Sequence, residues 1–326
     1  MHKIRFDSRA TEGNMSAQVY IDGQEGTTGL LLHKELARRS DIDLLSIDPA
    51  LRKDPIAKKD IFRQADVVVL CLPDSAAKDA VLLSEETRFL DASTAHRVKN
   101  GWVYGLPELR AGQRDKIARS RRVSNPGCYP TGFLLTIAPL IDEGLLPRST
   151  FIRTHAISGY SGGGKKLIGK YEEKGSHRTE GRPYALGLQH KHVAEMQAYS
   201  GLDNPPLFEP MVGGFYKGML VQTPLFAREL KGYSGPESVL DAFFRKYQNE
   251  TFVKICSSEH PDILDDGFLS PQECNGTNRV ELFAFGHEHQ VTVTARLDNL
   301  GKGAALAAVQ NLNLMLGLPE ETGLES

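Results

Sequence analysis

The chain has 326 residues, of which 40% are hydrophobic and 25% are charged, and its net charge is −2 with a pI near 6.6. This length is enough for two domains, each with its own core. The near-neutral charge gives no electrostatic reason to expect binding to nucleic acid or to a membrane surface. No apolar stretch reaches the length of about 20 residues that a bilayer-spanning helix needs. We therefore expect a cytoplasmic protein that acts on a small molecule.

The polar N-terminus and the cysteines give further information on the class of protein and its compartment. Residues 1–16 predict a disordered N-terminal extension before a start at Met15, and they lack the apolar centre of a signal peptide. Four cysteines are scattered along the chain with no CxxC pair: Cys71, Cys128, Cys256 and Cys274. Neither a disulfide framework nor a structural zinc site is indicated, which fits a reducing compartment.

The first part of the chain alternates predicted strands and helices. Ala17 to Ile21 predicts a strand, a glycine-rich turn follows, and Leu30 to Ser40 has the leucine spacing of a helix. Further strands are predicted over Leu44 to Ile47, Asp66 to Leu72 and Phe89 to Asp91. This alternation predicts an α/β fold with a Rossmann-type doubly wound sheet, in a nucleotide-binding domain of residues 17–127.

The character of the sequence changes after Leu146, and the predicted elements become mainly strands. They cover Thr150 to Ile157, Met211 to Phe226, Thr251 to Ile255, Arg279 to Phe285 and Gln290 to Leu297. We expect an α+β domain of residues 128–302 with a mainly antiparallel mixed sheet, which carries catalysis and oligomerisation. A strong helix over Gly303 to Leu316 is expected to return to the first domain, with residues 303–326. Sheet-sharing domains often pair, so we expect a homo-oligomer, either a dimer or a tetramer.

The glycine-rich turn is the candidate cofactor site. Gly23, Gly26 and Gly29 are three residues apart between a predicted strand and a predicted helix, with Thr27 and Thr28 between them. Such a turn presents backbone amides to a pyrophosphate at a helix N-terminus. We therefore expect a dinucleotide here, against the alternative of a simple tight turn.

The choice between NADP(H) and NAD depends on the end of the second strand. Asp48 would suit a ribose diol, whereas Arg52 and Lys53 could hold a 2′-phosphate. The alternative for the two basic residues is a solvated turn. The sequence favours NADP(H) without excluding NAD.

Cys128 is the candidate nucleophile. It lies in the turn from Ser124 to Gly132, which opens the apolar run from Phe133 to Leu140. Pro130 fits the first helical position, and the helix dipole would lower the pKa of a thiol at this end. A small buried hydrophobic side chain is the alternative. We expect Cys128 to act as a thiolate nucleophile.

A thiol nucleophile needs an acid/base partner, and two histidines are candidates. His190 and His192 precede Glu195, which lies three residues beyond His192 on a predicted helix. Zinc binding together with His287 and His289 is the alternative, but the spacing of a known zinc motif is absent. We expect no metal, and we expect one of the first two histidines to face Cys128.

Two segments are candidate anion sites. Arg97 follows a predicted strand, at the edge of the sheet where ligands bind, and its guanidinium suits phosphate or carboxylate. A Gly/Ser-rich loop offers backbone amides to an acyl phosphate, with Ser158, Gly159, Ser161 and Gly162 as its candidate residues. The same loop nearly matches a Walker A motif, but Lys166 stands where a magnesium-binding Ser or Thr is required. A nucleoside triphosphatase is therefore disfavoured.

Five segments together resemble the N-acetyl-γ-glutamyl-phosphate reductases of arginine biosynthesis, in the shorter form of that family. They are Gly23 to Gly29, Asp91 to Arg97, Asn125 to Gly132, Ser158 to Lys165 and Gln189 to His192, and Asn275 to Leu282 and Asp298 to Ala304 add to the likeness. The resemblance implies that the first domain binds NADPH, and it places Ser93 and Lys302 near the cofactor. One departure is Leu306, which follows the Gly-Lys-Gly-Ala segment where the family has small or polar residues.

The resemblance implies a reaction in which Cys128 attacks the acyl phosphate of N-acetylglutamyl phosphate. Phosphate leaves, the thioester accepts hydride from NADPH, and His190 or His192 moves the proton. Arg279 is a candidate for recognising a substrate carboxylate. Alternatives are an aspartate-semialdehyde dehydrogenase-like reductase, a cysteine hydrolase or acyltransferase that needs no nucleotide, and a catalytically inactive NADP-sensing protein.

Overall fold

A computed structural model describes residues 16–173, 179–257 and 263–326. The extension expected over residues 1–16 lies outside the described residues except for Ser16. No helix in the described ranges is long and apolar enough to cross a membrane.

The chain up to Ser124 forms a parallel sheet flanked by helices. Its elements are β1 (Ala17–Asp22), α1 (Thr27–Leu36), β2 (Ile42–Leu45), α2 (Pro55–Gln64), β3 (Val67–Leu70), α3 (Asp74–Leu82), β4 (Phe89–Asp91), β5 (Val103–Tyr104), α4 (Gln113–Arg119) and β6 (Arg122–Ser124). The strand order among the described residues is β2-β1-β3-β4-β6-β5, and every pairing is parallel. The predicted doubly wound α/β sheet is confirmed. Helix α1 begins at Thr27, three residues before the predicted start.

The remaining chain forms a second, mixed sheet. Its elements are α5 (Cys128–Asp142), β7 (Arg153–Gly159), α6 (Gly164–Glu172), β8 (Arg182–Pro183), α7 (Val193–Ser200), β9 (Leu207–Gly213), β10 (Met219–Phe226), α8 (Pro236–Tyr247), β11 (Val253–Ile255), β12 (Val280–His287), β13 (Gln290–Leu297) and α9 (Leu306–Leu316). In the described ranges the strand order is β11-β12-β13-β10-β7-β9-β8. Only the β11–β12 and β7–β9 pairs of this sheet are parallel, so the expected mixed, mainly antiparallel sheet is confirmed.

Two predicted elements of the second half were wrong in detail. The single strand predicted over Met211 to Phe226 is two strands, β9 and β10, because the chain turns between Gly213 and Gly218. Gly218 has a φ of 106°, and a Cβ there would lie 2.3 Å from the Pro271 carbonyl oxygen. The helix was predicted to begin at Gly303. Its α-helical part, α9, begins at Leu306, and residues Gly301–Ala305 form a π-helical segment before it.

Helix α5 runs through the core of the second sheet. Every residue from Tyr129 to Leu140 is buried, as expected for a helix that is apolar on all sides. It packs against β10, β13, α7 and α8. Cys128, its first residue, is therefore held by a rigid element.

Helix α9 packs in the core of the first sheet. Val309 and Leu312 share an apolar cluster with Val19 and Leu32. The side-chain amide of Asn311 donates to the Gly105 carbonyl at 2.8 Å. The C-terminal segment thus completes the core begun by the N-terminal strands.

We predict that Leu312→Ala destabilises the protein by about 2–5 kcal/mol, because it opens a cavity in that core. Leu312 is fully buried, whereas Leu82 is 81% exposed, so Leu82→Ala is the matched control and should change stability little. Urea unfolding followed by circular dichroism measures both variants. Equal unfolding midpoints would show that α9 contributes nothing to this core.

Candidate functional site

A cavity of about 1050 Å³ lies where the two sheets meet. Its walls come from the glycine turn before α1, the segment after β4, the start of α5, the loop after β7, the segment before α7 and the segment after β13. Most of these are ends of strands or starts of helices, where backbone groups and polar side chains are available to a ligand.

The glycine turn fits a dinucleotide. Gly23 has a φ of 90°, and a Cβ there would lie 2.5 Å from the Cys71 carbonyl oxygen. Gly26 caps α1 without a side-chain hydrogen bond, so the first amides of the helix are available to an anion. The Thr27 hydroxyl is buried with no partner among the described residues. Gly26, Thr27, Thr28 and Gly29 line the cavity, whereas Gly23 shapes the turn behind them.

Cys128 is the first residue of α5 and lines the cavity. Pro130, expected at the first helical position, is the third residue. Burial raises the pKa of the Cys128 thiol to about 11, although the charge of Arg97 and hydrogen bonds from the backbone at Tyr129 and Cys128 act in the opposite direction. The predicted lowering of the pKa is therefore wrong, since the loss of hydration outweighs the electrostatic contribution of the helix start. The thiol is protonated at neutral pH and needs a base.

The two histidines have different surroundings. His192 is 7% exposed, its Nδ1 has no partner among the described residues, and burial first, then Arg97, holds its pKa well below the usual value. A Cβ on Gly127, next to Cys128, would lie 2.7 Å from His192 Nε2. His190 accepts a hydrogen bond at Nδ1 from the His192 backbone amide at 3.2 Å, and its Nε2 lies 3.5 Å from the Tyr184 hydroxyl.

Glu195 joins these groups. One carboxylate oxygen accepts from Arg97 Nη1 at 2.6 Å, and the other accepts from the Tyr104 hydroxyl at 2.8 Å and from the Gly127 amide at 3.1 Å. His192 Nε2 lies 4.0 Å from the same carboxylate. In the sequence, only the position of Glu195 three residues after His192 indicated that Glu195 belongs to the site.

Arg97 lies in the cavity wall but already has acceptors from the protein. Besides Glu195, its Nε donates to the Asn125 carbonyl at 3.0 Å and its Nη2 to the Ala92 carbonyl at 3.4 Å. The side chain is buried. The positive charge of Arg97 acts on the site, but three of its nitrogens already donate hydrogen bonds to groups of the protein.

The segment after β4 is held by Asp91. Its carboxylate accepts from the Ser93 amide at 2.9 Å and the Ser93 hydroxyl at 2.8 Å, and it lies 2.6 Å from His96 Nδ1. His96 in turn stacks on Trp102 with ring centroids 4.1 Å apart. This buried arrangement fixes Ser93 in the cavity wall.

The Gly/Ser-rich loop also lines the cavity. Ser158, Gly159, Ser161 and Gly162 all face it, followed by Lys165 of α6. Asn299 donates from its side-chain amide to Ser161 Oγ at 3.0 Å and accepts from the Gly218 amide at 2.9 Å. The loop is therefore tied to the segment after β13, and sequence reasoning had not identified Asn299.

Three expected ligand residues do not reach the cavity. Arg52 is exposed and lies 3.8 Å from Glu25, at the outer side of the glycine turn. Arg279 pairs with Glu281 at 3.1 Å. Lys302 is fully buried and pairs with Glu108 at 2.6 Å. The expectation that Arg279 and Lys302 contact ligand is not supported by these positions, because both pair with protein carboxylates away from the cavity, and Arg279 shares Glu281 with Arg296.

Other expected or overlooked residues are also placed. His287 and His289 lie at the β12–β13 turn, and no group of three or more metal-ligating side chains comes together in the described ranges. Tyr184 lines the cavity and donates its hydroxyl to the Tyr129 hydroxyl at 3.2 Å. Tyr129 lies within the motif from Asn125 to Gly132, but no motif in the sequence indicated Tyr184 as part of the site.

Comparison with known proteins places this arrangement in a family. A family model described as "Semialdehyde dehydrogenase, NAD binding domain" matches residues 23–118, and one described as "Semialdehyde dehydrogenase, dimerisation domain" matches residues 128–299. An N-acetyl-gamma-glutamyl-phosphate reductase from Trichormus variabilis is 51% identical over 318 residues, covering 94% of this chain and 99% of the relative. One from Brucella ovis is 45% identical over 311 residues, covering 93% and 100%.

Solved structures show the same fold at much lower identity. Aspartate semialdehyde dehydrogenase II from Vibrio cholerae has a TM-score of 0.68 at 15% identity, covering 93% of this chain and 99% of that one. The enzyme from Francisella tularensis has a TM-score of 0.70 at 14% identity, covering 92% and 100%. From the family models and the curated relatives, this chain belongs to the N-acetyl-gamma-glutamyl-phosphate reductase family of the semialdehyde dehydrogenases.

Proposed function

We propose that this protein reduces N-acetyl-γ-glutamyl phosphate with NADPH to N-acetylglutamate semialdehyde and phosphate, in cytoplasmic arginine biosynthesis. The observation that carries the proposal is one cavity that brings Cys128 together with a dinucleotide-type glycine turn and a buried neutral histidine. A cysteine hydrolase would need the thiol and the histidine but not the glycine turn. The curated relatives, at 45% and 51% identity over nearly the whole chain, are named for this reaction.

The chemistry begins at the sulfur of Cys128. The thiol gives up its proton, the sulfur bonds to the acyl carbon of the substrate, and the bond from that carbon to the phosphate oxygen breaks. NADPH, when bound, supplies the hydride that reduces the resulting acyl group. The first amides of α5, at Cys128 and Tyr129, point to the thiol, so they would stabilise negative charge on the acyl oxygen of a substrate bound to this sulfur.

His192 is the proposed base. Its Nε2 lies against Gly127, beside Cys128, and its lowered pKa keeps the ring neutral at physiological pH. A neutral imidazole can accept the thiol proton during the attack. After reduction, the carbon–sulfur bond breaks, the aldehyde leaves, and the proton returns to the sulfur of Cys128. His190 uses Nδ1 to accept the His192 backbone amide, so its role is to hold His192 in place.

The cofactor would be held by the turn from Gly23 to Gly29. The free amides of α1 and the unpartnered Thr27 hydroxyl suit the pyrophosphate. Ser93 lies in the same wall, fixed by Asp91. Arg52, beside Glu25 of the turn, is exposed and can reach a 2′-phosphate at its outer end.

The phosphate of the substrate would bind at the loop from Ser158 to Gly162. This loop precedes α6, whose N-terminal amides and Lys165 line the cavity. Arg97 adds positive charge behind the site but would not bind phosphate in a bidentate way, because its nitrogens already donate to Glu195 and to two backbone carbonyls.

The proposed domain division is residues 17–127 with 303–326, and residues 128–302. The first unit contains the parallel sheet and α9, which share one apolar cluster. The second contains the mixed sheet around α5.

Purified protein given N-acetylglutamate semialdehyde and phosphate should reduce NADP⁺, as followed by absorbance. Cys128→Ser should lower this turnover by about a thousandfold or more, because a serine hydroxyl is a much weaker nucleophile than a thiol and its ester accepts hydride less readily than a thioester. Cys71 also lines the cavity, so Cys71→Ser is the matched control and should retain turnover. Full activity of Cys128→Ser would exclude the covalent route, and no turnover by the wild type would exclude this substrate.

Asparagine substitutions can distinguish the roles of the two histidines, because asparagine keeps a hydrogen-bond acceptor but cannot take up a proton. His192→Asn should lower kcat by about 10²–10⁴-fold, the usual contribution of a general base. His190→Asn should retain most of kcat, because the amide oxygen replaces the Nδ1 acceptor of the His192 amide. Steady-state kinetics with both substrates measures the effect, and a larger loss for His190→Asn would reverse the assignment.

We infer that the uncovered face of the second sheet pairs two copies of this chain. Helices α5 and α8 cover one face, while the other presents Ile157, Leu207 and Met211 with polar residues between them. His155 and Glu209 lie 3.3 Å apart on this face. The family model that covers residues 128–299 is named for dimerisation, which supports a dimer, with a tetramer as a further assembly.

We predict that Ile157→Asp weakens this pairing. Ile157 lies between Met211 and Leu220 in the sheet and is half-buried, so a charge there would be desolvated at an interface. Ile56, 74% exposed on α2, supplies the control Ile56→Asp. Light scattering after size exclusion should show a smaller mass only for Ile157→Asp. An unchanged mass for a folded Ile157→Asp variant would place the interface elsewhere.

A further inference from the structure

The π-helical segment at Gly301–Ala305 connects the two parts of the active site. It packs against both α1, which follows the glycine turn, and α5, which begins at Cys128. The Ala305 amide donates to the Leu300 carbonyl at 2.8 Å, and the Gly303 amide to the Asp298 carbonyl at 2.9 Å. These bonds span five residues, the π-helical spacing, which is rare and occurs mostly at functional sites.

The wide turn brings backbone directly against the nucleophile. A Cβ on Gly303 would lie 2.6 Å from the Cβ of Cys128 and 3.1 Å from the Asp298 carbonyl oxygen. The next carbonyl, of Ala304, accepts from the side-chain amide of Asn125 at 2.9 Å. Gly303 and Ala304 both line the cavity. The segment therefore forms the wall on one side of the thiol.

Lys302 anchors this wall from behind. The side chain is fully buried, its Nζ donates to Glu108 Oε1 at 2.6 Å and to Gln310 Oε1, and it lies 5.4 Å above the Phe252 ring. Glu108 Oε2 has no partner among the described residues. Burial raises the pKa of Glu108, but the charge of Lys302 and the hydrogen bonds from Lys302 and Gln310 outweigh it and lower the pKa, so Glu108 is a carboxylate.

A buried ion pair of this kind is weak evidence for stability, because desolvation of both charges offsets their attraction. Its directional hydrogen bonds do, however, fix where the Lys302 backbone lies. Glu108 comes from the loop after β5, whereas Lys302 follows β13. The pair thus spans 194 positions of sequence to hold one turn beside Cys128.

We propose that Lys302 is a positioning residue for the reaction: its ion pair with Glu108 keeps the π-helical segment in the conformation that sets Gly303 against Cys128. Without the pair, the segment can relax towards a regular helix and move the wall of the site. The effect on turnover rests on the proposed function, but the effect on Cys128 does not.

A double variant distinguishes an effect on the position of the π-helical segment from an effect on the stability of the protein. Lys302→Met alone leaves Glu108 buried and unpaired, and this variant should lose stability. Lys302→Met with Glu108→Gln removes both charges and should recover much of that stability without restoring the anchor. Arg39→Met is the control, since the partly buried Arg39 pairs with Asp41 at 2.6 Å and lies outside the cavity.

The first readout is the rate of Cys128 alkylation by iodoacetamide, quantified by mass spectrometry of its peptide because Cys71 also lines the cavity. In the double variant we expect this rate to rise by about threefold or more, since access controls thiol reactivity. The second is kcat, expected to fall by about a hundredfold, the effect of a misplacement near 1 Å. Arg39→Met should lower the melting temperature and change neither readout.

Gly303→Ala tests the wall directly and should reproduce the loss of kcat, because its methyl group overlaps the position of Cys128 Cβ. A folded double variant with the wild-type rate of Cys128 alkylation would overturn the proposal and leave the ion pair a purely structural role. Absence of turnover in the wild type would instead contradict the proposed function, and the alkylation comparison would still decide the role of Lys302.

Discussion

The geometry of the site depends on one buried ion pair, between Arg97 and Glu195. Arg97 follows β4 of the first sheet, Glu195 lies on α7 of the second part of the chain, and 98 residues separate them. A charge pair that is almost fully buried costs desolvation and is stabilised only when its remaining donors and acceptors are also satisfied. The Glu195 carboxylate also accepts hydrogen bonds from the Tyr104 hydroxyl and the Gly127 amide, and the Arg97 guanidinium also donates to two backbone carbonyls. Because Gly127 is the cap of α5, the same network fixes the position of Cys128.

This network also explains why the thiol is not a ready-made thiolate. The Glu195 carboxylate offsets the charge of Arg97, so Cys128 experiences mainly the loss of water, which raises its pKa to about 11. The same burial moves His192 in the opposite direction, because for imidazole the charged form is the protonated one. Each group is therefore neutral at physiological pH. In the proposed mechanism, the proton would therefore be transferred during the attack, with the substrate in place, rather than from a thiol that is already ionised.

The sequence predicted the parts of the site that local chemistry determines. The glycine turn from Gly23 to Gly29 follows a strand and precedes a helix, and Cys128 opens α5, so both could be identified from nearby residues. The run from Met211 to Phe226 was predicted as one strand because its β propensity is high at both ends. The reversal at Gly218 depends on a close approach to Pro271, more than 50 positions away, which propensity cannot indicate.

Long side chains were the least predictable, because their direction depends on distant partners. Lys302 and Arg279 carry charges that suit a ligand, yet they pair with Glu108 and Glu281 away from the cavity. Arg97 reaches the cavity wall, but its partner lies on another element. A motif indicates that a charged residue is near a site; only the fold shows whether its charge faces the ligand or the protein.

The fold itself does not determine the substrate. Aspartate semialdehyde dehydrogenases share it with TM-scores of 0.68 and 0.70, at 15% and 14% identity, so the two-sheet architecture tolerates nearly complete replacement of its residues. In this chain, strand ends and helix starts meet around one cavity, and Cys128 and the glycine turn both lie in its wall. Discrimination between acyl phosphates must then come from side chains in the cavity wall, and Tyr184, Asn299 and Lys165 lie there. Because Tyr184 contacts both Tyr129 and His190, a substitution at this wall would also be transmitted to the residues that position the base. In the proposed mechanism, substrate recognition at Tyr184 and positioning of the base would be coupled through the same hydrogen bonds.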